Sequence, residues 1–213
     1  MTTHPTRLRA DAARNRELIL TAARAAFRER GTSAPLDDIA RSAGVNIATL
    51  YRRFPDRGAL IRQVVLDAYT VVRDETRLAR TRLAEPVGAI EGFLLNLVRQ
   101  RDQLVLPLLG GPAVDNPEIF SMQREIAGNL EAVLTAGRAA GTVREDLNSV
   151  DLITASALVC RPMPHLSVAD ATNLSARHVR VFVDGMRPLG ARPIPAPVTH
   201  ASLTAQFNRA YSR

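Results

Sequence analysis

The sequence predicts an all-α fold in which an N-terminal three-helix helix-turn-helix domain is joined by a long helix to a larger helical domain. Three observations predict it. Apolar residues recur at three- and four-residue steps from Leu18 to Met186, the period of one helix face. Glycine stands just past several of these stripes, at Gly31, Gly44 and Gly141, where a helix most cheaply ends. The positive charge is gathered at one end: residues 1–62 hold 12 Arg against 6 acids, and residues 63–213 hold 16 Arg against 15. A polyanionic partner is therefore expected for the N-terminal quarter, and for double-stranded DNA in particular once the helices are placed.

Residues 1–11 are a polar arm carrying Arg7 and Arg9, expected to be flexible and in reach of a minor groove. Residues 12–60 are expected to form the DNA-binding domain. Leu18, Ile19, Ala22, Ala23, Ala26 and Phe27 mark its first helix, over about 12–30. Pro35 introduces the second, with Leu36, Ile39, Ala40 and Ala43 on the buried face and Asp37 and Asp38 at its positive end. Gly44 breaks it, and Asn46 is a good N-cap for a third helix whose buried face is Leu50 and Phe54. Left outward are Ile47, Ala48, Thr49, Tyr51, Arg52 and Arg53, small, aromatic and cationic groups that suit phosphates and base edges. A helical hairpin with glycine at its bend is also common in any all-α core, so the surroundings must decide between the two readings.

Beyond Phe54, Pro55 and the N-cap candidate Asp56 open a fourth helix with Leu60, Ile61, Val64, Val65 and Ala68 on one face, unbroken to about Leu83. The linked motifs ILTAARAAFRERG, IARSAGV, TLYRRF and PDRGAL, spanning about residues 12–66, resemble the N-terminal domain of TetR-family transcriptional regulators. The resemblance implies a repressor that binds palindromic operator DNA as a homodimer and is released by a small-molecule effector. Pro35 stands where the family usually has a capping Thr that touches a phosphate, and Ser33 is the neighbouring hydroxyl able to take that contact. Arg57 stands where the family usually has a phosphate-contacting Lys. By their chemistry, Tyr51 and Arg57 are assigned to phosphates, and Ile47, Thr49 and Arg52 to bases.

Residues 61–187 are then the ligand-binding and dimerisation domain. Pro86 opens a helix to about Val105, Pro117 one to about Ala140, Ser149 caps a third that ends before Pro162, and a last helix spans about 170–186. The Gly110-Gly111 pair between the first two is too weak a signal for a phosphate cradle. With only Phe93, Phe120 and Phe182 as aromatics between 70 and 200, an aliphatic pocket is expected rather than an aromatic cage. Phe93, Leu97, Met122 and Met163 are its candidates, although plain core packing competes with that role for each. The dimer is assigned to two stripes, Leu152, Ala155, Leu158 and Val159, and Leu174, His178, Phe182 and Met186. Residues 188–213 are a Pro-rich tail, expected to be extended or disordered, with room for one helical turn near Phe207.

Other classes fare poorly. G-x-S-x-G, H-E-x-x-H, C-x-x-C and phosphate-loop motifs are absent from the sequence, so an enzyme, a metal site or a resident cofactor is not expected. His165 and His178 are isolated, and Cys160 is the single cysteine, which fits a reducing, cytoplasmic compartment. The sequence has no long uncharged apolar run, so no membrane association is expected. The competing class is a helical small-molecule or protein-partner sensor without operator-specific DNA binding; intact Tyr51, Arg52, Arg53 and Arg57 argue against it.

Overall fold

The computed structural model describes the backbone of residues 5–105 and 116–198, with side chains from residue 11 onward within those spans. Eight α-helices occur among the described residues, with no strand. They are α1 (Pro5–Arg30), α2 (Leu36–Ser42), α3 (Ile47–Arg53), α4 (Arg57–Arg80), α5 (Pro86–Arg99), α6 (Pro117–Ala139), α7 (Ser149–Val159) and α8 (Val168–Gly185). None is long and apolar enough to cross a membrane.

Two compact units divide between Ala68 and Tyr69, inside α4, whereas the sequence reading set the boundary at residue 60. The reason is visible in α4: Leu60, Ile61, Val64, Val65 and Ala68 are all buried, and past Ala68 only Thr76 and Ala79 are. The helix outlasts its apolar stripe because backbone bonding does not depend on which face is wet.

In the first unit α1 packs on α2 and α2 on α3. The buried face of α1 is Ile19, Leu20, Ala23, Ala26 and Phe27; Leu18, expected on that stripe, is 40% exposed. Relative to Ala23, Leu18 lies well round the helix while Leu20 lies on the near side, so the stripe is centred one position later than the sequence suggested. The helix also begins at Pro5, so residues 5–11 are helical backbone and not the flexible arm expected. Proline is favoured in a first turn, where its missing N–H costs nothing.

In the second unit α5 packs on α6, α7 and α8, α6 on α7, and α7 on α8. Its core is Ile90, Phe93, Leu94 and Leu97 of α5 with Ile126, Leu130, Val133 and Leu134 of α6 and the inner faces of α7 and α8. Helix α5 stops at Arg99 and passes into a 3-10 turn, Arg101–Gln103, where the expectation ran to Val105. The run Arg99-Gln100-Arg101-Asp102-Gln103 interrupts the apolar stripe and leaves nothing to bury. Asn148, not Ser149, caps α7: its side chain accepts from the Val150 and Asp151 amides while Asp151 accepts from the Asn148 amide, a reciprocal capping box. The segments holding Gly110-Gly111 and Phe207 lie outside the described residues.

Between α6 and α7 the chain reverses at Gly141 (φ +65) and lays Val143 on Gly137. A Cβ on Gly137 would collide with Val143 Cγ2 and meet Val143 Cβ at 3.0 Å and Pro86 Cβ at 3.3 Å. Gly137→Ala is therefore expected to destabilise by about 1–3 kcal/mol in chemical denaturation. Adding Val143→Ala should recover part of that loss; a double variant no better than the single would refute the contact as its cause.

Past the same turn, Arg144 holds both carboxylate oxygens of Asp146, at 2.5 and 2.8 Å, and its backbone N–H donates to Met186 O at 2.9 Å. The Ile194 amide donates to Asp146 at 3.4 Å and Asn148 Nδ2 to Val198 O at 3.0 Å, so the described part of the Pro-rich tail is strapped here. Chiefly through the Arg144 hydrogen bonds, the Asp146 carboxyl is lowered from 3.8 to about 2. A depressed folded-state pKa contributes stability above the unfolded value and loses it as pH falls from about 4 toward 2. The melting-temperature gap between wild type and Asp146→Asn should be present at pH 6 and close across that window.

Candidate nucleic-acid interface

The interface is built on a seven-residue helix, too short to persist alone. Gly44 takes φ +67, the left-handed conformation expected of it, and turns the chain sharply after α2. Asn46 caps α3 as the sequence implied, its Oδ1 accepting the Thr49 amide at 2.7 Å. Leu50 and Phe54 are buried, and Arg16 of α1 lies over the Phe54 ring with its guanidinium carbon 5.7 Å from the centroid.

With that face anchored, the opposite one is presented. Ala48, Arg52 and Arg53 are exposed, Tyr51 is 48% exposed, and Ile47 and Thr49 are half-buried. Arg52 Nη2 donates to Thr49 Oγ1 at 2.9 Å, so two of the three residues assigned to bases are already in contact. An arginine steadied by one bond keeps the other edge of its planar fork for two acceptors on a guanine. Asn46 is exposed at the head of the same helix.

Two residues behave differently from the expectation. Arg57 is half-buried, and its Nη1 donates to the Thr32 carbonyl at 2.9 Å and to that of Ala34. Those bonds use both Nη1 protons, leaving Nε and Nη2 for a phosphate, so Arg57 also ties the start of α4 to the α1–α2 connection. Ser33 is exposed, but its hydroxyl donates to the Arg30 carbonyl at 3.3 Å, and α2 begins after Pro35 with no side-chain cap. Near these residues Asp38 bridges Arg30 at 2.7 Å and Arg41 at 3.1 Å, and the Arg30 hydrogen bond leads in holding its carboxyl below the ordinary value.

In the second unit the sequence-based sites come apart. Phe93, Leu97 and Met122 are buried core side chains, and Met163 is half-buried in the loop after α7. Of the dimer stripes, Leu152, Ala155, Val159 and Met186 are buried within the protomer, which corrects their assignment to an interface. Leu158 (64% exposed), Leu174 and His178 face outward, and Phe182 is half-buried. The stripes were chosen by period alone, and each of these helices has two apolar faces, one for its own core.

Sequence reasoning missed a polar set on α4, α5 and α6. Glu75 accepts from Asn96 Nδ2 at 2.8 Å and Gln100 Nε2 at 2.6 Å. Tyr69 accepts from Gln123 at 2.8 Å, and burial pushes its phenol up. Asn129, itself buried, donates to buried Thr76 at 3.3 Å and accepts from Arg80 at 3.0 Å. The available signal was polar residues inside apolar stripes, such as Asn96 between Phe93 and Leu97. Among the described residues, no group of three side chains is placed to hold a metal.

The comparisons agree with this architecture. The family model for bacterial regulatory proteins of the tetR family matches residues 19–64, and that for the C-terminal domain of SbtR-like transcriptional regulators matches residues 85–188. A TetR transcription regulatory protein from Mycobacterium vanbaalenii is 34% identical over 84% of this chain and 99% of its own, with a TM-score of 0.52. The TetR regulator SCO0520 from Streptomyces coelicolor is 29% identical over 82% of this chain and 99% of its own, TM-score 0.54. AibR, solved in complex with isovaleryl coenzyme A and operator DNA, shares the fold at 14% identity over 76% of this chain and 96% of its own, TM-score 0.60. Comparison with curated proteins gives no match. A helix-turn-helix unit carrying a cationic third helix, followed by a second helical unit, defines a DNA-binding transcriptional regulator. The chain belongs to the TetR family.

Asn46→Ala should lower stability by about 1 kcal/mol through the lost cap. Arg57→Ala should lower it by about 1–3 kcal/mol, because two carbonyls lose a charged donor. Urea unfolding checks both; an Arg57→Ala variant as stable as wild type would show that the Thr32 and Ala34 bonds contribute nothing.

Proposed function

We infer that this regulator is a cytoplasmic repressor that binds a palindromic operator as a homodimer and leaves it when a small molecule binds the second unit. The observation that carries the reading is α3: a capped helix with a buried Leu50 and an outward set of Tyr51, Arg52 and Arg53, in the quarter of the chain that holds most of the net positive charge. Two such helices reading one DNA face must sit about one helical turn, 34–36 Å, apart, which a two-fold dimer supplies. Leu158, Leu174 and His178 with half-buried Phe182 are the members of the stripes on α7 and α8 left open for that contact. Because α4 runs without a break from Arg57 into the second unit, a displacement there is carried by one rigid helix toward the recognition helix. The isovaleryl coenzyme A and operator DNA bound by AibR fit a family in which such ligands control DNA binding.

On α3, Tyr51 and Arg57 contact phosphates while Ile47, Thr49 and Arg52 face bases. Arg52→Ala should cost about 1–3 kcal/mol on the preferred operator and relax preference at one base pair per half-site. Tyr51→Phe should weaken all sequences about equally. Binding-site selection with each variant at two salt concentrations decides; base preference that shifts with Tyr51→Phe and not with Arg52→Ala would reverse the assignment. Light scattering that finds only monomer at micromolar concentration would remove the two-fold operator.

A further inference from the structure

The guanidinium of Arg101, in the 3-10 turn after α5, is directed at α8. Its Nη2 donates to Val168 O at 3.4 Å and to Thr172 Oγ1 at 3.3 Å, both at the long end of the hydrogen-bond range. Its Nη1 is buried and has no hydrogen-bond partner. Arg138 and Arg144 of the same unit each hold a carboxylate at 2.5 Å; among the described residues Arg101 holds none. One turn along α8 from Thr172, the hydroxyl of Ser175 is also buried without a partner, the residue being 1% exposed. The helix does not force this. Thr172 bonds back to the Val168 carbonyl at 2.7 Å and Ser156 to that of Ile153 at 2.6 Å, the usual resting place of a helical hydroxyl.

The neighbouring Cys160 supplies no counter-ion. Cys160, 2% exposed at the end of α7, lies within electrostatic range of Arg101, yet burial pushes its thiol up to about 12, so it stays neutral. A buried guanidinium N–H without an acceptor is costly, more so than a neutral one. Here it is accompanied by a buried hydroxyl in the same condition. An acceptor that arrives with a ligand would satisfy the guanidinium, and Ser175 lies one turn of α8 from the Thr172 that Arg101 already touches.

We propose that Arg101 and Ser175 anchor the acidic head of a small molecule in the second unit, and that the molecule is a monocarboxylate with an apolar body. One guanidinium balances one negative charge and offers a planar fork that matches a carboxylate, with the Ser175 hydroxyl as an added donor. A phosphate dianion would bring a second charge for which this cluster has no cation. The apolar body follows from the chain around the anchor: Leu97 one turn before Arg101, Leu104 just after it, and Val159 beside Cys160 are all buried. The proposal rests on the reading of the second unit as the effector-binding one and names the class of effector.

The test is calorimetry on the full chain with straight-chain carboxylates from butanoate to dodecanoate, the matching amides, and inorganic phosphate. At least one carboxylate is expected to bind, its amide at least ten-fold more weakly, and phosphate more weakly still. Arg101→Gln should abolish the carboxylate's binding. Ser175→Ala should weaken it several-fold while leaving the melting temperature of the free protein unchanged or higher, because that hydroxyl bonds to nothing in the free fold. If Arg101→Gln loses helicity by circular dichroism, Arg101→Lys, which keeps the charge, should bind measurably but more weakly than wild type. No binding by any carboxylate, equal binding of acid and amide, tighter phosphate, or wild-type affinity in Ser175→Ala together with a folded position-101 variant would each overturn the site. Operator binding measured in parallel separates the two readings: a carboxylate that binds without changing operator affinity supports the site and defeats its effector role. A neutral molecule that releases DNA while the carboxylates fail to bind overturns the site and leaves the effector reading standing.

Discussion

Seven residues are too few to hold a helix in water, and α3, which carries the side chains proposed to face DNA, has only seven. It exists because three local conditions coincide. Gly44 permits the left-handed turn, Asn46 satisfies an amide of the first turn, and Leu50 and Phe54 are withdrawn from water on the inner side. The exposed set Ala48, Tyr51, Arg52 and Arg53 is what remains once those demands are met. The position of the exposed set is thus a consequence of burying the opposite face.

The same economy governs α4. Its first half is an apolar strip that closes the N-terminal unit, its first residue, Arg57, is tied to the carbonyls of Thr32 and Ala34, and its second half exchanges apolar contacts for hydrogen bonds accepted by Glu75 and Thr76 and donated by Arg80. Near the changeover, Asp67 pairs with Arg24 of α1 at 2.8 Å and accepts from Gln63 at 2.7 Å.

In the second unit, period alone misassigned half of the residues expected at the dimer surface. Leu152, Ala155, Val159 and Met186 recur at helical spacing as faithfully as Leu158, Leu174 and His178, but the first four are the protomer's own core. A helix packed on its own unit and open to a second copy has two apolar faces, and hydrophobicity does not say which face meets which partner. The pocket candidates failed to separate from core for a related reason: Phe93, Leu97 and Met122 are buried, which is what either role requires. The informative residues were the polar ones Asn96, Gln100, Asn129 and Arg101, whose hydrogen bonds reach other helices or, at Arg101 Nη1, are missing.

The sequence by itself determined the all-helical class, the helix-turn-helix, the cap at Asn46, the turn at Gly44 and the outward set on α3. These depend on neighbours within four residues, where spacing and backbone preference act directly. It also determined, through linked motifs spread over some fifty residues, membership of the TetR family. Only the tertiary structure decided that Arg57 turns back onto Thr32 and Ala34, that Asn148 and not Ser149 caps α7, that Asp146 and Asn148 bind the tail, and that Arg101 and Ser175 keep unpartnered polar atoms inside the second unit. Except for the cap, these are pairings or missed pairings between segments distant in sequence, set by where those segments meet. The cap was decided by one residue of register, since Asn148 and Ser149 are both good caps and only the packed position of α7 chooses between them.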